Sequence, residues 1–120
     1  MNRIMTAKDV VPAGQRAVVV FTRGEKLGFD DQGYGGTGNW KINPTKLEEI
    51  DNVVIYLREE GQTGGRIFVG SYVGCSPSPE EGRYIIYFHK LKEVGSTTSN
   101  WPNFGTYGQT PVTFVGATTA

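Results

Sequence analysis

Apolar residues in this chain come in short runs such as AVVVF, VVIYL and YIIYF, and glycine, proline or a charged residue closes each of them. Runs of that length, rich in β-branched and aromatic residues, favour strands over helices. RAVVVFTR, residues 16–23, reads as a buried strand that stops at Gly24. NVVIYLR and RIFVGSYV, residues 52–58 and 66–73, read as an antiparallel hairpin across the turn EEGQTGG. Alternation puts Val53, Ile55 and Leu57 on one face, and the same interior is expected to hold Ile67 and Val69. Gly70 in mid-strand points to a bulge, a bend or a close backbone approach. RYIIYFHKLKEV, residues 83–94, is apolar on both faces and reads as a central strand, with PVTFV, residues 111–115, closing the sheet.

Between the strands lie most of the seventeen glycines. GEKLGFDDQGYGGTGN, residues 24–39, and GSTTSNWPNFGTYGQT, residues 95–110, read as long loops, and GCSPSPEEG as a shorter one. One short helix is expected after Asn43, a good cap, with Pro44 in the first helical position where its missing N–H costs nothing. Thr45 and Glu48 offer a competing capping box. Leu47 and Ile50 would face the core together. Residues 1–15 and 116–120 read as flexible ends of a single 120-residue domain. The fold class expected is α+β, mainly β. Short strands in a small chain shed their edges by closing, which suggests a curved or closed β-barrel of about five to six strands with one or two short helices.

Twelve basic and twelve acidic residues cancel, which argues against a protein that grips nucleic acid through a global basic excess but leaves room for a local patch. Cys75 is the single cysteine, so no intramolecular disulfide can form, and a reducing, cytoplasmic setting is expected. Neither a signal-peptide core nor a membrane-spanning run is present in the sequence.

Catalytic chemistry finds little support. One histidine, His89, and one cysteine cannot supply an ordinary metal site, and Asp30-Asp31 has no calcium-loop context. Cys75 sits in a Pro/Ser loop without a sign of thiol activation, and His89 reads as a strand residue. Glu59-Glu60 and Glu80-Glu81 read as solvated turn charges, and GYGGTGNW lacks the P-loop lysine. Neither a catalytic residue, a metal nor a cofactor is expected.

Aromatic side chains remain. Tyr34, Trp40, Tyr56, Tyr72, Trp101, Phe104 and Tyr107 lie in or beside glycine-rich segments or strand ends. Accessible flat rings stack on bases and other planar groups. The alternative is that Trp40 and Trp101 plug the ends of a small barrel.

The order of these elements resembles the PUA-like superfamily, with its EVE, ASCH and YTH-type members. The resemblance rests on Trp40, Leu47, Ile50, Asp51, Val53, Val54, Ile55 and Tyr56, then Ile67, Val69 and Gly70, and spans residues 38–115. GRYIIYF with the later Asn100-Trp101 is also similar to PUA-like domains attached to bacterial nucleases. The resemblance implies a small curved barrel with an aromatic pocket for a base, a modified base or a nucleotide-like ligand. Asn39, Trp40, Tyr56, Ser71, Tyr72, Asn100, Trp101 and Phe104 are then the expected ligand contacts, with Asn103 as a further polar candidate. Arg23, Lys26, Lys41 and Arg66 are expected to meet phosphates. Zero net charge with exposed aromatics equally suits a structural or protein-interaction protein, of viral origin given the Gly/Thr-rich ends, that forms a homo-oligomer.

Overall fold

Two valine-rich strands, β1 (Arg16–Thr22) and β4 (Asn52–Leu57), lie side by side in parallel at the heart of the molecule. The structure is a computed structural model that describes residues 4, 6–61, 63–105 and 111–116. Among these residues five further strands complete one mixed sheet: β2 (Leu27–Phe29), β3 (Gly35–Trp40), β5 (Gly65–Pro77), β6 (Tyr84–Thr97) and β7 (Val112–Gly116). Their order is β2-β3-β6-β5-β4-β1-β7, and every neighbouring pair except β1–β4 is antiparallel.

Strands buried on both sides need an apolar layer over each face. Over one face, Ala17, Val19, Val54, Tyr56, Ile67 and Val115 pack beneath Ile4, Ala7, Trp101 and Phe104. The opposite face gathers Val18, Val20, Val53, Ile55, Phe68, Ile86, Phe88 and Leu91 under Leu47. At about 1.5–3 kcal/mol for each large apolar side chain removed from water, these layers are the main stabilising term. The segment before β1 belongs to the first layer, since Ile4 and Ala7 are buried there. Leu47 and Ile50 both join the second layer, as expected. Asn43 caps the single helical turn Pro44–Leu47 by accepting the Thr45 N–H at 3.0 Å, so the Thr45 capping box is not used.

Register corrects one expectation. Ile55 pairs with Phe68 and Tyr56 with Ile67, which puts Ile67 and Val69 on the face of Val54 and Tyr56 instead of that of Val53 and Ile55. Gly70 does lie opposite a bulge: β6 spends one extra residue between His89 and Lys92, with Lys90 at φ 58°. The Leu91 N–H freed by that bulge donates instead to the Gly33 carbonyl at 3.1 Å.

Residues 24–39 are not one long loop. They hold β2 and β3, and the glycines are what lets β3 pair with β6. A Cβ at Gly36 would meet the Tyr87 ring at 3.0 Å, and one at Gly38 would meet Ile85 at 3.0 Å. Large side chains on β6 occupy the space that glycine leaves open. GCSP likewise belongs to β5, and residues 95–97 extend β6. Residues 106–110, with Tyr107, and 117–120 lie outside the described residues.

The sheet is not closed into the expected barrel. β2 and β7 stand at opposite ends of the strand order. The sheet nevertheless curls, because Leu27 and Trp40 from one end and Val112 and Phe114 from the other pack on the same apolar cluster. A seam between β3 and β7 remains, without a ladder of backbone hydrogen bonds across it.

One substitution tests the packing of the first layer. A Cβ at Gly65 would fall 2.7 Å from the Tyr56 ring. Gly65→Ala is expected to cost about 1–3 kcal/mol in urea unfolding. Gly28→Ala, where a Cβ meets nothing within 4 Å, is expected to stay within about 0.5 kcal/mol of the parent.

Candidate functional site

Trp40 ends β3 just where its pairing with β6 slips. Thr37 pairs with Ile86 and Trp40 with Tyr84, so Gly38 and Asn39 oppose a single residue, Ile85. Such bulges re-aim side chains at the end of a ladder. The indole is half-buried, and its Nε1–H donates to the buried Thr37 hydroxyl at 3.2 Å. That bond fixes the ring at the seam.

Two clefts open on either side of Trp40, and Pro111 borders both. The smaller, about 330 Å³, is lined by Phe21, Thr22, Arg23, Glu25, Lys26 and Asn39, with Glu80 at its rim. The larger, about 610 Å³, runs past Lys41, Lys46 and Arg83 to Val112 and Phe114 of β7. The smaller cleft carries two cations and two carboxylates, whereas the larger carries three cations and no carboxylate. Arg83 bridges the two: its Nη1–H donates to the Asn39 carbonyl at 3.2 Å, and its Nε lies 3.8 Å from Glu80. Among the described residues no carboxylate comes within ion-pair distance of Arg23, Lys26, Lys41 or Lys46. A neutral chain thus concentrates positive charge at one seam, beside one indole.

Lys26 adds backbone strain to the rim. It has φ 58°, in the left-handed region that favours glycine, inside a turn closed by the Leu27 N–H donating to the Gly24 carbonyl at 3.4 Å. Its own carbonyl accepts the Gly38 N–H at 3.1 Å, which ties the turn to β3.

The remaining expected contacts are not brought to Trp40. Trp101, 4% exposed, stacks on Phe21 at 5.5 Å and packs against Phe104 and Tyr56 in the first layer. Tyr56 is fully buried, and its hydroxyl donates to the Ser99 carbonyl at 2.6 Å and accepts from Arg58 at 3.1 Å. The two tryptophans therefore serve opposite faces of the sheet, and no common aromatic cage forms between them. Asn100 accepts the Asn103 N–H at 3.0 Å and so caps the single turn Trp101–Phe104. Ser71 is an exposed β5 residue paired between Asn52 and His89. Tyr72 is half-buried, and burial, with the Cys75 thiol as a second influence, pushes its phenol pKa up.

Arg66 is committed elsewhere. Its Nε and Nη2 grip both oxygens of Glu93 at 2.9 Å, and its Nη1 reaches Glu59 at 3.0 Å. These bonds raise the guanidinium pKa, and the same bond from Arg66 holds the Glu93 carboxyl below its usual value.

Sequence reading missed Lys46, Arg83, Glu25 and Glu80 at this site. Nothing in the sequence singled out Lys46, and the β3–β6 pairing of Trp40 with Tyr84 is what sets Arg83, and with it Glu80, beside Trp40. Among the described residues no group of three or more His, Cys, Asp and Glu is placed to hold a metal ion. His89 is exposed and stacks on Tyr34 at 4.1 Å. No protein-family model matches the chain, nor does any curated protein or solved structure.

Two measurements check these assignments. Lys26→Gly relieves the left-handed backbone and is expected to raise stability by about 1 kcal/mol in chemical denaturation; a loss of stability would contradict the strain. Glu93 has a depressed folded pKa, so its contribution is present above the unfolded carboxylate pKa of about 4.3 and is lost as pH falls through the lower folded value. Glu93→Gln is therefore expected to flatten the acid limb of the Tm–pH profile. The loss at neutral pH should stay near about 1 kcal/mol, because the pair is solvent-exposed.

Proposed function

We propose that this protein is a non-catalytic binding module of PUA-like character that takes a nucleic-acid base or nucleotide-like ligand at the β3–β7 seam. One observation carries the reading. An indole anchored through its nitrogen borders two clefts whose lining includes Arg23, Lys26, Lys41, Lys46 and Arg83. Stacking on an aromatic ring contributes about 1–3 kcal/mol per base, and cations beside it meet phosphate oxygens. The ligand contacts are Asn39 and Trp40, the phosphate contacts are Lys41 from the expected set joined by Lys46 and Arg83, and Arg23 and Lys26, which line the smaller cleft, face the base instead. Tyr56, Trp101 and Phe104 act as core, and Arg66 as a surface ion-pair hub.

Tryptophan fluorescence separates the two indoles. Nucleoside monophosphates are expected to quench the parent protein, and Trp40→Phe is expected to abolish the quenching while leaving the buried Trp101 emission in place. Trp40→Ala should weaken binding about tenfold or more. Persistence of the full quenching in Trp40→Phe would remove Trp40 from the site.

A second reading has its own observation. Phe29, Tyr34, Val73 and Tyr87 are exposed, and β2 and β7 end the strand order among the described residues. Both suit a protein-interaction role or a homo-oligomer. Light scattering coupled to size exclusion decides it: a concentration-independent monomer would exclude the oligomer.

A further inference from the structure

The two clefts beside Trp40 differ in charge, and that difference orients a ligand. Three cations and no carboxylate line the larger cleft. A phosphate group is stabilised there and repelled by the carboxylates of the smaller one. With the phosphate beside Lys41, Lys46 and Arg83 and the base on Trp40, the polar edge of the base enters the cleft of about 330 Å³.

That cleft sets the hydrogen-bond pattern it accepts. Ionised carboxylates only accept and guanidinium or ammonium groups only donate. A base edge that uses both kinds of group must therefore offer N–H donors to a carboxylate and an acceptor to a cation. Glu80 is partly neutralised, lying 3.8 Å from the Arg83 guanidinium. Glu25 forms no ion pair among the described residues, and its backbone carbonyl lies 3.5 Å from the Thr22 hydroxyl in the same turn. Its carboxylate is exposed and outside these ion pairs, so it is open to accept from a ligand. Arg23, two residues away, supplies the opposite pattern.

Among the common bases, guanine alone presents two adjacent donors, N1–H and the 2-amino group, beside a carbonyl acceptor, O6. Its two donors match both oxygens of one carboxylate, and O6 matches an arginine. Adenine and cytosine each offer a single amino donor next to ring acceptors. Uracil offers one N–H between two carbonyls, which a carboxylate repels.

We propose that the seam site prefers guanine, with Glu25 accepting from N1–H and the 2-amino group, Arg23 donating to O6, and Trp40 stacking on the ring. This rests on the nucleotide-binding reading above and goes beyond it by assigning a base and a specificity residue. The site is formed by one chain and needs no metal or co-reactant.

Isothermal titration of the full chain with GMP, AMP, CMP, UMP and IMP tests it. GMP is expected to bind about tenfold or more tightly than the other nucleotides. IMP, which lacks the 2-amino group, is expected to lose most of that advantage. Glu25→Gln is expected to bring GMP down to the affinity the parent shows for AMP. Because Glu25 is exposed, an unchanged melting temperature verifies that the variant folds. Equal affinity for all five nucleotides would overturn the guanine assignment while leaving a nucleotide site standing. A GMP preference that survives Glu25→Gln would overturn the role of Glu25. Absence of binding by every nucleotide would overturn both the assignment and the reading beneath it.

Discussion

β1 and β4 are apolar on both sides, and a parallel pair of that kind is stable only when water is kept from both faces. Each further element answers this demand. On one face the N-terminal turn and the turn Trp101–Phe104 supply the cover, with Trp101 stacked on Phe21 of β1. On the other face the sheet covers itself, curling until Leu27, Trp40, Val112 and Phe114 reach the same cluster. The curl stops short of closure, and β2 and β7 stay unpaired with each other.

An unclosed seam has consequences for chemistry. Where strands pair, backbone polar groups satisfy one another and side chains alternate between core and solvent. At the seam neither rule holds, so polar and charged side chains can gather beside an apolar floor. Arg23 and Lys26 follow β1, Asn39 and Trp40 end β3, Lys41 and Lys46 flank Asn43, and Arg83 precedes β6. Distant segments contribute because several strand ends meet there. Local cationic charge then coexists with a net charge of zero because carboxylates are in excess elsewhere, as in the Arg66 network, where one guanidinium meets Glu59 and Glu93.

How much of this could be read from the chain follows the range of the interactions involved. The strands 16–22, 52–57 and 112–116 were legible in their β-branched runs, as was the helical turn from Asn43 and Pro44. Gly70 announced its bulge. The glycine-rich β3 was not legible, because its strand character comes from Ile85 and Tyr87 lying over Gly36 and Gly38, about fifty residues away. The faces of Ile67 and Val69 were misassigned because alternation within one strand does not set its register against the next. Trp40 and its cationic neighbours Arg23, Lys26 and Lys41 could be picked out as aromatic and basic residues around glycines. The same signal picked out Trp101 and Phe104, since composition does not distinguish a ring held in the core from a ring at a seam. Arg66 was chosen for its charge, and only Glu59 and Glu93 across the sheet reveal its commitment.

The central claim is that the β3–β7 seam, and not the aromatic core on the opposite face, receives a planar anionic ligand. Proton–nitrogen correlation NMR observes the two indole N–H groups as separate resonances, one bonded to Thr37 at the seam and one in the core. Titration with a nucleoside monophosphate is expected to shift the Trp40 indole resonance progressively and to leave that of Trp101 in place. Movement of the Trp101 resonance alone, or no movement of either at saturating nucleotide, would contradict the account.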